Sequence, residues 1–468
     1  MNDQQQRSPE EAGKGTQQLK RGLSNRHLQM IAIGGAIGTG LFLGSGKTIS
    51  LAGPSILLVY GIIGFFLFFV MRAMGEMLLA NLRYKSFRDI AEDQLGEWAG
   101  FFSGWTYWFC WIVIGIADIL AISAYLAYWW PDLPKWIGGV GLIVLMLGLN
   151  LMTVKLFGEI EFWFAIIKIV AIISLIVIAA ILVAVSFTSP SGHTASLSNL
   201  VNDGGFFATG FMGFIAGFQL AIFAFLGIEL VGTAAAETEN PEKTLPRAIN
   251  AIPVRVALFY ILALVAIMAV TPWREINPEV SPFVSMLSLT GFGAAASIVN
   301  FVVLSSAASS ANSGIYSTSR MLYGLARVRK APPVFAKLSI RGVPAAGLLF
   351  SCTCLLPGLV LLYTSDTIIE AFTLVTTVAS VLFMFVWCLI ICSYLVYRSK
   401  QPELHKKSVF KMPLGRIMCV AVLVFFAIVL VILALEPDTR TGIILTPIWF
   451  IILGIAYRVH RGKVTEQV

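Results

Sequence analysis

Ile31-Ala32-Ile33-Gly34-Gly35-Ala36-Ile37-Gly38-Thr39-Gly40-Leu41-Phe42 is an apolar stretch with four glycines in seven positions. It lies inside a longer apolar run, 28–46, that reads as a membrane span. Each glycine weakens a continuous helix by about 1 kcal/mol relative to alanine. Glycine also permits unwinding and close approach of a ligand to the backbone. Gly34 and Gly38 equally fit the small-xxx-small spacing that lets helices pack closely. The stretch is therefore either a broken helix or a tight packing face.

A second stretch decides between these readings. Phe223-Ala224-Phe225-Leu226-Gly227-Ile228-Glu229-Leu230-Val231-Gly232-Thr233 again joins glycines to an apolar run, here with a carboxylate near mid-depth. Working outward, the chain divides into twelve apolar spans, near 28–46, 54–80, 98–129, 136–153, 162–187, 212–236, 252–271, 290–324, 344–363, 367–397, 412–434 and 441–459. The two glycine-rich stretches open the first and second sets of five spans. Interrupted helices at matching places in two halves mark the binding site of a transporter. Freed N–H groups and a helix dipole at the first would attract a carboxylate. Freed carbonyls at the second would attract an ammonium. Every amino acid carries both groups.

Composition agrees. Hydrophobic residues make up 57% of 468 and charged residues 12%. Mean hydropathy is +0.84. Soluble domains carry about 25% charged residues, and runs of about 20 apolar residues suffice to cross a bilayer as helices. Met1 to Arg26 is polar and lacks the apolar stretch of a signal peptide. With the N-terminus placed in the cytoplasm, 28 Lys and Arg fall on the inner side and 4 on the outer, so both termini are expected inside. The net charge of +8 therefore reads as loop topology, not as a nucleic-acid surface. The expected organisation is a tail over 1–26, a transport core over 27–397, two further helices over 398–460 and a tail over 461–468. The aromatics of the third span, Trp98 to Trp130, read as interfacial anchors at its two ends.

Ionisable groups at bilayer depth are functional candidates, because burying a charge there costs at least about 2.5–3.5 kcal/mol. Asp118, Lys168 and Glu229 qualify. An amine held in the membrane can gain and lose a proton as its surroundings change. Lys168 is thus the candidate coupling group, unless it snorkels to the interface. Asp118 and Glu229 could equally be partners of polar backbone. Glu159 and Glu161 read as solvated carboxylates at a helix start. The run Leu304–Ser319, rich in Ser and Ala, reads as a helix facing the bundle or an aqueous path. The six cysteines have neither metal nor disulfide spacing, and the four histidines lie in tails, loops or span ends. An enzyme would need paired catalytic groups at depth and a channel a continuous polar ring; no catalytic or metal site is expected.

Ile31–Phe42, Phe157–Trp163, Phe223–Glu229, 241–249 and Asn312–Leu325 together resemble the amino-acid transporter family of the amino acid–polyamine–organocation superfamily, over roughly 23–460. Ser45–Ser55, Gly104–Cys110 and Val302–Arg320 carry a likeness to its members for small substrates. The resemblance implies an all-α protein of the leucine-transporter kind, with five-plus-five inverted repeats, broken helices one and six, and two added helices. It implies proton symport by alternating access in a bacterial inner membrane, with glycine, D-alanine and D-serine as substrates. Another neutral or aromatic amino acid is the alternative. No cofactor is implied beyond the proton, and no partner beyond substrate and bilayer. The implied substrate residues are Ile37, Gly38, Thr39 and Gly40 toward the carboxylate. Phe223, Ala224, Phe225, Leu226, Gly227 and Ile228 lie toward the amine, with Phe223 as a gate. In sodium-coupled relatives an ion bridges the first and fifth helices, and the Lys168 ammonium would take its place, with Asp118 and Glu229 as further proton-coupling candidates.

Overall fold

The computed structural model describes residue 30 and residues 37–190, 192–230, 232 and 240–465. The expected tail over 1–26, Gly34, Gly35, Val231 and Thr233 lie outside the described residues. Among the described residues there are helices and no strands, and nine helices are long and apolar enough to cross a membrane. Two shorter apolar helices cover Lys135–Asn150 and Gly210–Phe225.

Five long helices build the frame: α1 (Ile56–Ala80), α2 (Glu97–Ala127), α3 (Val154–Ala184), α4 (Gly293–Arg327) and α5 (Ile368–Lys400). α2 is the central element and packs most extensively on α4 and then α5. Small residues on α4 allow this. A Cβ at Gly314 would stand 2.5 Å from Cε3 of Trp111 on α2, so the indole lies directly on the α4 backbone. Without a hydrophobic drive between helices in lipid, such close contact supplies the cohesion. Among the aromatics of the expected third span, Trp98 and Tyr128 near the ends of α2 are exposed, and Tyr107, Trp108 and Trp111 within it are buried.

Several limits differ from the expected ones, each for a local reason. α3 begins at Val154, eight residues before the expected 162, because Thr153 caps it by accepting from the Leu156 N–H. The span expected over 344–363 is found as Ala345–Thr364, its helical turns interrupted between Thr353 and Pro357 by a proline that cannot donate to the preceding turn. The outer faces of α3 are exposed. Its buried stripe is Phe157, Glu161, Ala165, Lys168, Ile172, Leu175, Ala179 and Leu182.

One buried carboxylate holds a loop in place. Glu76 on α1 accepts from Tyr394 Oη at 2.7 Å and from the Met412 N–H at 2.8 Å, and pairs with His405 Nδ1 at 2.5 Å. The segment 401–414 is thereby fixed to the end of the bundle. Glu76→Ala strands the Tyr394 and Met412 donors, so a loss of about 1–3 kcal/mol per stranded group is expected. A thermal melt in detergent checks it, as a clear fall in the unfolding midpoint.

Candidate functional site

Both glycine-rich stretches depart from regular helix among the described residues. In the first, Gly38 is extended (φ −129°, ψ −161°), and a helical turn starts at Thr39 and continues through Gly44–Ala52 after a kink at Leu43. In the second, helical turns run from Gly210 to Ala221, tighten to a 3₁₀ turn at Phe223–Phe225, and end at an extended Leu226. Gly227 then takes φ +96°, a conformation that strongly favours glycine. A helix start in one stretch therefore meets a helix end in the other. Amides lacking helical partners are left on the first side and carbonyls on the second.

The two breaks touch. A Cβ at Gly40 would stand 2.6 Å from Ala224 Cα and 2.8 Å from Ala224 N, so backbone crosses backbone. Beside the crossing lies a small cavity, lined by Gly38, Thr39, Gly40, Phe223, Ala224, Leu226, Trp111, Ile114 and Ser310. The Phe223 ring stands edge-on to Phe372, with centroids 5.6 Å apart. Trp111 is 1% exposed, and its indole nitrogen is among the buried polar atoms that have no hydrogen-bond partner among the described residues.

Of the residues implied for substrate, Gly38, Thr39, Gly40, Phe223, Ala224 and Leu226 share this lining. Ile37, Phe225, Gly227 and Ile228 do not. The Phe225 ring stacks on Tyr260 (4.9 Å, 11°), away from the cavity. Gly227 donates its N–H to Glu229 Oε2 at 3.2 Å, which turns the chain back on itself. Two groups are already engaged: Ala224 O accepts from Tyr260 Oη at 2.8 Å, and the Thr39 hydroxyl donates to Asp118 Oδ1 at 2.9 Å.

Beneath the cavity is a second polar centre. Lys168 Nζ donates to Ile37 O at 3.1 Å, and Ser306 Oγ donates to the same oxygen at 3.0 Å. Lys168 is fully buried, which excludes the snorkelling alternative. Asp118 and Glu229 are also fully buried. Asp118 joins the floor of the cavity through Thr39, whereas Glu229 lies behind the second break, bound to Gly227.

One expectation is overturned. Glu161 is not a solvated helix-start carboxylate: it is 0% exposed. Because α3 starts at Val154, Glu161 sits two turns inside the helix. Ser309 Oγ donates to its Oε1 and Asn312 Nδ2 to its Oε2 at 3.3 Å. The Ser-rich run of α4 thus faces the bundle, giving Ser306 to Ile37, Ser309 to Glu161 and Ser310 to the cavity. Trp111, Ile114 and Ser310 are cavity residues that motif reading missed. The only sequence signal for Ser310 was that run.

Comparison with known proteins gives a consistent picture. The amino acid permease family matches residues 27–468. The D-serine/D-alanine/glycine transporter of Escherichia coli K12 is 64% identical over 441 residues, covering 94% of both chains. Amino-acid permease AapA of Bacillus subtilis is 52% identical, covering 96% of each. A probable threonine/serine transporter of the same organism, YbxG, is 43% identical, covering 96% of this chain and 97% of its own.

Proposed function

The chain belongs to the amino acid permease family, transporters and not enzymes, and from that premise we propose that it imports glycine, D-alanine and D-serine by proton symport. The observation that carries the reading is the crossing of Gly40 on Ala224 beside a small cavity, with a helix start and a helix end facing it. The substrate carboxylate docks on the amides of Gly38, Thr39 and Gly40, and its ammonium on the carbonyls of the second break. Leu226 is the favoured carbonyl, because Ala224 O already accepts from Tyr260. The Trp111 and Ile114 walls, and the 64% identity to a transporter named for D-serine, D-alanine and glycine, support small side chains.

The chain crosses the inner membrane twelve times in this reading, as a five-plus-five inverted repeat followed by two helices. Lys and Arg outnumber 28 to 4 on the side assigned to the cytoplasm, where both termini then lie. Lys168 couples the proton. As an ammonium it draws the Ile37 carbonyl, and with it the first break, toward α3. Loss of its charge loosens that hold and favours the other side of an alternating-access cycle.

Competition uptake tests the proposal. Radiolabelled glycine is offered with D-alanine, D-serine, L-alanine or a bulky aromatic amino acid, with and without a protonophore. D-alanine and D-serine are expected to compete strongly, the aromatic weakly, and the protonophore to end accumulation. Strong competition by the aromatic would overturn the substrate reading, and uptake that persists after the gradient collapses would overturn proton coupling.

A further inference from the structure

Lys168 has a companion on its own helix that the motifs leave unexplained. Glu161 precedes it by seven residues, which is two turns, so both fall on the buried stripe of α3. Helical side chains lean toward the N-terminus, which directs the long Lys168 side chain toward the Glu161 end of the helix. The carboxylates of Glu161 and, from α2, Asp118 act electrostatically on Lys168.

A carboxylate buried in a membrane protein for packing alone is costly unless it is paired or neutralised. Glu161 is held by two neutral donors, the Ser309 hydroxyl and the Asn312 amide. This pair serves both protonation states. A hydroxyl both donates and accepts, so Ser309 can turn to accept from a protonated carboxyl while Asn312 still donates to the other oxygen. The network also leads somewhere. Asn150 Nδ2 donates to Asn312 Oδ1 at 2.9 Å. Asn150 is the last residue of the helix Lys135–Asn150, and residues 151–153 beyond it are exposed. Close by, Phe157 stacks on Tyr316 at 3.8 Å, so apolar rings occupy the space beside this polar line.

We infer that Glu161 is a second proton-carrying residue of the transport cycle, receiving the proton from Lys168 and releasing it toward the cytoplasmic end of the bundle past Asn312 and Asn150. The inference rests on the coupling role proposed for Lys168. In the step, the Lys168 N–H bond breaks and its electron pair stays on nitrogen. An O–H bond forms on Glu161, leaving a neutral amine and a neutral carboxyl. The carboxyl then gives the proton to water at the cytoplasmic end and becomes a carboxylate again. Ser309, Asn312 and Asn150 act as positioning residues.

The test uses the full chain in proteoliposomes, comparing wild type with Glu161→Gln and Glu161→Asp. Exchange of internal for external glycine needs no net proton release, whereas accumulation driven by an imposed proton gradient does. Glu161→Gln is expected to keep exchange and to slow net proton-driven uptake by about 100-fold, the lower end of what a positioned proton-transfer group contributes. Glu161→Asp is expected to restore part of it. Wild-type accumulation in Glu161→Gln overturns the inference, as does a parallel loss of exchange and accumulation, which marks a structural role. Should Glu161→Gln fail to fold, Ser309→Ala removes one hydrogen bond to the carboxylate. It must then slow accumulation more than exchange, and equal effects overturn the inference. If wild-type uptake itself ignores a protonophore, the Lys168 reading fails, whatever the Glu161 variants do.

Discussion

Lys168→Ala is expected to abolish accumulation of glycine against a gradient while leaving a folded protein in the membrane. The ammonium is one of two donors on Ile37 O, and Ser306 remains to satisfy that carbonyl. Losing the buried hydrogen bond from Lys168 to Ile37 costs about 0.5–3 kcal/mol, which the helical bundle tolerates. Under the proposed coupling, the variant loses the charge that changes with proton binding. A membrane potential of 100 mV supplies about 2.3 kcal/mol per charge moved, which corresponds to about 40-fold accumulation at 1.4 kcal/mol per tenfold. In proteoliposomes held at that potential the ratio of internal to external glycine should fall to unity in Lys168→Ala, and a protonophore should no longer change it. Accumulation equal to wild type would remove Lys168 from the mechanism.

The parts of this site that were legible share one property: they are written as departures from an apolar background. Four glycines between Ile31 and Leu41, Gly227 beside Glu229, and a lysine inside the fifth apolar run each stand out because lipid tolerates none of them without a reason. Glu161 was hidden for the opposite reason. α3 is apolar on every face, so its hydrophobic pattern has no stripe to mark the inside. A carboxylate two turns into such a helix looks like one at its mouth unless the helix start is placed at the Thr153 cap. Trp111, Ile114 and Ser310 were hidden because they sit on unbroken helices, where only the packing of α2 on α4 decides which residues meet the cavity. The engagement of Ala224 O by Tyr260 joins residues 36 apart and has no local signature at all.

Gly40→Ala should be as damaging as loss of the lysine, by a different route. The new Cβ would lie 2.6 Å from Ala224 Cα, 2.8 Å from Ala224 N and 2.8 Å from Phe223 Cδ1. Two of these neighbours are backbone atoms in a segment that is already turned and extended, so no rotamer change relieves the clash. The breaks must separate, and overpacking of this kind costs about 1–3 kcal/mol. Stability can absorb that, but the site cannot. In the proposed site the amides of Gly38–Gly40 and the carbonyls of the second break hold opposite ends of one small zwitterion, and a shift of about 1 Å in a positioning element can cost roughly 100-fold in rate. Gly38→Ala is the internal control. Its Cβ would meet Ser310 Oγ at 3.4 Å, an ordinary contact with a side chain that can rotate. Glycine, the proposed substrate without a side chain, should therefore still be carried by Gly38→Ala and be lost in Gly40→Ala at equal amounts of folded protein. Equal uptake by the two variants would mean that the breaks do not cross at Gly40 in the transporting state, and the docking site would have to be sought elsewhere in the bundle.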